Sequence, residues 1–118
     1  MLFLADNSGG RLFKCISIKR LYKYVSAGFI VKGIIKNLRK KRRSYSRVKK
    51  GSLYKGLIIQ SKSVLIRKNS KRFYSLDNYV IILGKANEPL ATRIFRGIPK
   101  EARTKRKSKL LIMAPFIY

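Results

Sequence analysis

Nearly all the side chains able to do chemistry in this 118-residue chain are cations. Thirty Lys and Arg stand against four acids, Asp6, Asp77, Glu88 and Glu101, for a formal net charge of +26. There is no His to act as a base near neutral pH, and four carboxylates scattered along the chain do not make a paired acid–base site. Catalysis is therefore not expected. Zinc needs about four Cys, His or acidic ligands, and the chain offers one Cys, Cys15, which also cannot close an internal disulfide. Cys15 is expected to be a small buried hydrophobe. No cofactor is implied, and what remains is the chemistry of cations toward a polyanion.

The cations are clustered. The densest group is Arg39, Lys40, Lys41, Arg42, Arg43, Arg47, Lys49 and Lys50, eight in twelve residues with no acid among them. Others gather at Lys100, Arg103, Lys105, Arg106, Lys107 and Lys109, at Lys62, Arg67, Lys68, Lys71 and Arg72, and at Arg11, Lys14, Lys19, Arg20 and Lys23. Each cation that neutralises a phosphate releases condensed counterions, and Arg adds a planar fork of donors, so nucleic acid is the natural partner. Tyr22, Tyr24 and Tyr45 lie within basic stretches and could stack on unpaired bases, although packing roles are equally open to them. No helix-turn-helix or zinc-finger pattern is present, which favours backbone and shape recognition of folded RNA over sequence-specific reading of DNA. Two rival readings are a nucleic-acid-compacting protein and a membrane-surface protein. The latter calls for an amphipathic helix, whereas the basic segments are broken by Gly, Pro and Ser. The longest apolar stretch, Leu110 to Tyr118, has nine residues and contains Pro115, too short for the roughly 20 that span a membrane.

The apolar residues that must position these cations come in short runs rich in β-branched and aromatic types, not in stripes of helical period. The pattern predicts strands at Leu12–Ile18, Phe29–Ile35, Leu53–Gln60, Val64–Lys68, Arg72–Tyr74 and Tyr79–Leu83, with a weaker candidate at Leu110–Met113. Many short strands in a small chain favour a closed β-barrel, because closure removes aggregation-prone edges. A two-residue turn at Asn69-Ser70 would join the fourth and fifth candidates into a basic hairpin. Pro99 suits the first turn of a short helix through Lys100-Glu-Ala-Arg103, and residues 87–99, with two prolines, read as an ordered loop. The organisation expected is one domain, 1–118, in which a neutral barrel carries a basic loop at 37–51, a hairpin at 61–74 and a basic helical segment at 97–118. Repulsion within so charged a body predicts marginal stability until a polyanion neutralises it.

Several strings are diagnostic. Leu4-Ala-Asp-Asn-Ser-Gly-Gly10 followed by Cys15-Ile16 resembles the V-A-D-N-S-G-A...M-C-I opening of the universal large-subunit ribosomal protein number fourteen family. Val48-Lys-Lys-Gly51, Pro89-Leu-Ala-Thr-Arg-Ile-Phe95, Glu101-Ala-Arg103 and Ala114-Pro115 resemble, in order, that family's V-K-K-G-D, P-x-G-T-R-I-F, R-E-L-R and L-A-P-E. The resemblance implies a five-stranded β-barrel with a projecting β-ribbon and a carboxy-terminal region of small helices. It also implies binding to large-subunit rRNA, contacts with neighbouring proteins of the number three and nineteen types, and bridges to small-subunit rRNA. Some members of the family receive a ribosome-silencing factor.

The departures are informative too. The chain starts late relative to the family's M-I-Q-type strand, so its first strand is expected to be shortened or replaced. Gly28-Phe-Ile-Val31 stands for G-D-I-I, Phe95-Arg-Gly-Ile98 for F-G-P-V, and Met113-Ala-Pro-Phe116 for L-A-P-E; two of these changes lose acids. Such drift, a skew toward residues with AT-rich codons and the lack of a presequence suggest a mitochondrially encoded ribosomal protein, with plastid or bacterial origin as the alternative. The expected phosphate contacts are the eight cations of the densest cluster, then Arg67, Lys68, Arg72, Arg93, Lys100, Arg103 and Arg106. Asp6, Asn7, Ser8 and Gly9 are expected to shape a turn rather than to bind.

Overall fold

A computed structural model describes residues 1–18, 27–40, 46–100 and 112–118. Its strands are β1 (Leu2–Leu4), β2 (Gly10–Ile18), β3 (Ile30–Leu38), β4 (Leu53–Gln60), β5 (Leu65–Ile66), β6 (Arg72–Phe73) and β7 (Tyr79–Leu83). Five of them close a barrel in the order β1-β2-β3-β4-β7, and β5 and β6 form a separate two-stranded ribbon. All barrel pairings are antiparallel except β1 with β7, where Phe3 and Leu4 lie parallel to Tyr79 and Val80.

Two apolar cores follow from the pleat. Successive side chains point to opposite faces of a strand, and one face of each barrel strand fills the interior with Leu4, Phe13, Val31, Ile35, Ile58, Val80 and Ile82, joined by Val48 from the segment before β4. The Phe13 ring is fully buried and reaches β3, where a Cβ at position 33 would lie 2.7 Å from the ring and collide with the Lys14 carbonyl oxygen. Only glycine fits there. The outer faces of β4 and β7 carry Leu57, Ile59, Ile81 and Leu83 into a second cluster with Ala5, Ile94 and Ile98. Burial on both faces is why Gly56–Ile59 and Val80–Leu83 are buried without alternation.

The segment after β7 supplies that outer cover. It is the ordered loop expected, tied down by isolated bridges between Leu83 and Pro89, Asp6 and Ile94, and Ile98 and Ile117. Main-chain bonds run from Ile98 N to Phe116 O at 3.0 Å and from Lys100 N to Tyr118 O at 2.9 Å.

The structure corrects several boundaries. β1 is absent from the predicted strands, β2 begins two residues earlier than expected and β3 runs on to Leu38, while β4 and β7 have the expected bounds. The hairpin turn is longer than Asn69-Ser70. Arg67 N donates to Lys71 O at 3.0 Å, enclosing three residues, and Ser70 holds the left-handed position at φ 64°, the geometry of a three-residue hairpin loop. Ile112 and Met113 are helical, not extended. The proposed helix after Pro99 falls mostly on residues 101–111 and, like Tyr22, Tyr24 and Tyr45, lies outside the described residues. No helix among the described residues is long and apolar enough to cross a membrane.

Candidate nucleic-acid interface

The densest basic loop is held at its base by the turn between β1 and β2. Asp6 is buried and accepts three hydrogen bonds: from Ser8 Oγ at 2.6 Å, from Ser8 N at 3.3 Å and from Ile82 N at 3.0 Å. Burial pushes its carboxyl above the ordinary range, while the Ser8 and Ile82 hydrogen bonds and the Arg39 charge pull the other way. Asn7 Oδ1 accepts from Thr92 N and Arg93 N at 3.0 and 3.1 Å, and its amide donates to Thr92 Oγ1 at 2.9 Å. Asn7 N to Arg93 O and Phe95 N to Ala5 O complete the clamp. The two strings that carry the family resemblance most specifically, Ala5-Asp-Asn-Ser-Gly9 and Thr92-Arg-Ile-Phe95, are therefore one structural unit. The expectation that 6–9 only shape a turn captures the Ser8-to-Asp6 bonds and misses the long-range ones.

From this unit the loop is anchored at both described ends. Arg39 N donates to Gly9 O and Arg47 N to Ser8 O, each at 2.9 Å. Gly9 itself has φ +103°, and a Cβ there would press on Ser46, so the turn and the loop end pack backbone to backbone. The side chains reinforce the base: Arg39 Nη2 donates to Leu4 O at 3.3 Å and its guanidinium lies 5.3 Å from the Phe95 ring centroid, and Arg47 Nη1 donates to Leu90 O at 2.9 Å. Arg39 and Arg47 thus spend donors within the chain, whereas Lys40, Lys49 and Lys50 are exposed. Lys41, Arg42 and Arg43 lie outside the described residues.

The ribbon repeats this division of labour. Arg67 is half-buried, its guanidinium 4.1 Å from the Phe73 ring centroid and bonded at 2.6 Å to the Tyr118 main-chain oxygen, while Tyr118 packs on Phe73 with centroids 5.7 Å apart. Lys68 and Arg72 are exposed, as are Arg93 and Lys100; Arg103 and Arg106 lie outside the described residues. The structure does not bring the expected contacts into one pocket. It distributes them over the barrel end that holds the clamp, over the ribbon, and along the carboxy-terminal cover.

The barrel itself is not the neutral support expected. Lys14 on β2, Lys32 and Lys36 on β3 and Lys55 on β4 all project outward and are exposed. For Lys32 and Lys36 the signal lies in the alternation of Val31-Lys-Gly-Ile-Ile-Lys36, which puts both on the face opposite Val31 and Ile35; no dense run marks them. Arg96, also unmarked in the sequence, donates to Tyr79 Oη at 2.6 Å and lies 4.3 Å from the centroid of that ring. An ion pair joins Lys62 to Asp77 at 3.8 Å on the surface, and with four acids against thirty cations most of this charge cannot be balanced internally. Cys15 is half-buried against the interior cluster rather than fully buried, because it sits where β2 leaves the barrel core. Burial pushes its thiol up, away from reactivity.

Comparison with known proteins agrees with this architecture. The family model described as ribosomal protein L14p/L23e matches residues 1–118. The chain is also similar to a protein of Schizosaccharomyces pombe named large ribosomal subunit protein uL14m, with 32% identity over 117 residues covering 98% of this chain and 93% of the relative. With the whole chain matched and the diagnostic strings joined in one clamp, this chain belongs to the ribosomal protein L14p/L23e family.

Proposed function

We propose that the protein is a non-catalytic structural component of the large subunit of a mitochondrial ribosome, where its barrel holds basic extensions against rRNA. The observation that carries this reading is a net charge of +26 on a folded barrel whose described lysines point outward with almost no internal counter-charge. Such a surface needs a polyanion, and in a ribosomal protein the polyanion at hand is rRNA. The mitochondrial assignment rests on the name of the fission-yeast relative and on the drift and codon skew of the sequence. By family resemblance, the partners are large-subunit rRNA, neighbouring proteins of the number three and nineteen types, and small-subunit rRNA across an intersubunit bridge. The phosphate contacts are Lys40, Lys49, Lys50, Lys68, Arg72, Arg93 and Lys100, together with Lys41, Arg42, Arg43, Arg103 and Arg106. Arg39, Arg47 and Arg67 serve first as anchors of the segments that carry the others.

Gradient sedimentation of native organelle lysate in low and high salt, following the chain by mass spectrometry, tests this reading. Co-migration with large subunits that survives high salt is the expected result. Migration at the top of the gradient, or with membranes, overturns it.

A further inference from the structure

The outer wall of the barrel carries an arrangement that no dense cationic run announces. In the register of the sheet, Ser17 of β2 pairs with Lys32 of β3, and Lys32 pairs in turn with Lys55 of β4. A bulge between Cys15 and Ser17 sets that alignment, the usual effect of an extra residue in re-aiming a strand. Two lysines therefore stand directly across a strand pair, a placement of like charges that destabilises a sheet. Among the described residues neither has an acidic partner; the ion pair there belongs to Lys62 and Asp77.

These side chains line a cleft of about 180 Å³ together with Ile30 and Asn87. Ile30, half-buried, packs against the outer apolar cluster and gives the cleft one apolar side. The roof is the tight turn after β7, closed by Gly84 N to Glu88 O at 2.7 Å and Asn87 N to Gly84 O at 3.1 Å, with Asn87 at φ 58°. Directly opposed lysines, a hydroxyl donor in the same row and a hydrogen-bonded turn above them suit a compact dianion or monoanion with several acceptor oxygens.

We propose that the Lys32–Lys55 cleft is a phosphate-binding site on the barrel wall, occupied by one backbone phosphate of RNA that both lysines share and that Ser17 Oγ contacts. The site rests on the reading of the protein as an rRNA binder and extends it to the barrel wall. One shared phosphate has a signature that scattered surface charge lacks. Two independent lysine contacts lose salt dependence additively, whereas two lysines on one phosphate do not, because either alone still neutralises it.

The test is binding of the full chain to a large-subunit rRNA transcript across a series of salt concentrations, for wild type, Lys32→Gln, Lys55→Gln and the double variant. The double variant is expected to lose about 0.7 to 0.9 of log-log salt slope, one phosphate's worth, and each single variant less than half of that. An unchanged slope in the double variant, or additive losses from the singles, overturns the shared site. Relief of the opposed charges predicts that the double variant, free of RNA, melts at or above the wild-type temperature; a lower melting temperature overturns the argument by making the lysines structural. Titration with inorganic phosphate alone separates the sources: saturation of the cleft at millimolar phosphate with no change in RNA slope assigns it to free phosphate and overturns the RNA site. A wild-type chain that fails to hold the transcript at all overturns the proposed function, a result distinct from failure of the cleft alone.

Discussion

Two turns of this barrel use the same side-chain chemistry to different ends. In the turn after β1, Asp6 accepts from Ser8 two residues on, and at the tip of the ribbon Asn69 Oδ1 accepts from Lys71 N at 3.1 Å, again two residues on. Both are Asx turns. The ribbon turn is exposed, and the bond of its Asn69 side chain is local. The first continues inward: Asp6 also takes Ile82 N, and Asn7 takes Thr92 N and Arg93 N, partners 76 to 86 residues away. The difference teaches that a short polar motif becomes specific to a fold when its spare acceptor capacity is used by distant backbone in a buried site.

The largest effect should come from breaking the inward half of that comparison. Asp6→Ala leaves Ser8 Oγ and Ile82 N buried without partners, and is expected to destabilise the fold by about 3 kcal/mol or more, measured as a fall in the denaturation midpoint of the full chain. Asn7→Ala removes the clamp to 92–93, which is half-exposed, and should cost roughly 1 to 2 kcal/mol; an Asn7→Asp variant, which keeps Oδ1 as acceptor for Thr92 N and Arg93 N, should recover most of that loss. A third measurement sharpens the electrostatics of Asp6. Its folded-state carboxyl titrates above the unfolded one, so the folded state binds more protons between the two values. Stability is then full at acid pH and falls as pH rises from about 4 through the folded-state value. The Asp6→Asn variant should lack that slope when melts are compared from pH 3 upward. The smallest effect belongs to the ribbon: Asn69→Ala should change stability by less than about 0.5 kcal/mol, and a loss as large as that of Asn7→Ala would dissolve the contrast between the turns.

How much of this could be read in the sequence follows the same division between local and distant. β4 and β7 were legible to the residue because each carries a run of branched apolar side chains, Leu57-Ile-Ile59 and Val80-Ile-Ile-Leu83, and each is bounded by Ser, Gly or Asn. The barrel was legible from the number and shortness of such runs. β1 was not, since Leu2-Phe-Leu4 has no alternation to mark it and is held between β2 and the distant β7. The ribbon turn was found but one residue short, because the left-handed position fell on Ser70, a residue without the Gly or Asn signature of φ > 0. Among site residues, dense runs drew attention to Arg39, Arg47 and Arg67, whose side chains turn out to hold carbonyls. Lys32, Lys36 and Lys55 carry no such signal, since single lysines in a strand look like ordinary solvent-facing positions.

The parallel pairing of β1 with β7 also fixes an order of events during synthesis. Phe3 can pair with Leu12 of β2 early, but the second edge of β1 finds Tyr79 and Val80 only when they have been added, and Asp6 waits for Ile82 while Asn7 waits for Thr92 and Arg93. Until then, a ribosome making this chain holds an amino-terminal strand with one unpaired edge and a buried-acid site without its donors. Contacts of such long sequence separation are the slow ones to form. The nascent protein is therefore expected to close its barrel late, when some four-fifths of it has been translated, although the pairs from β1 to β4 join strands consecutive in sequence.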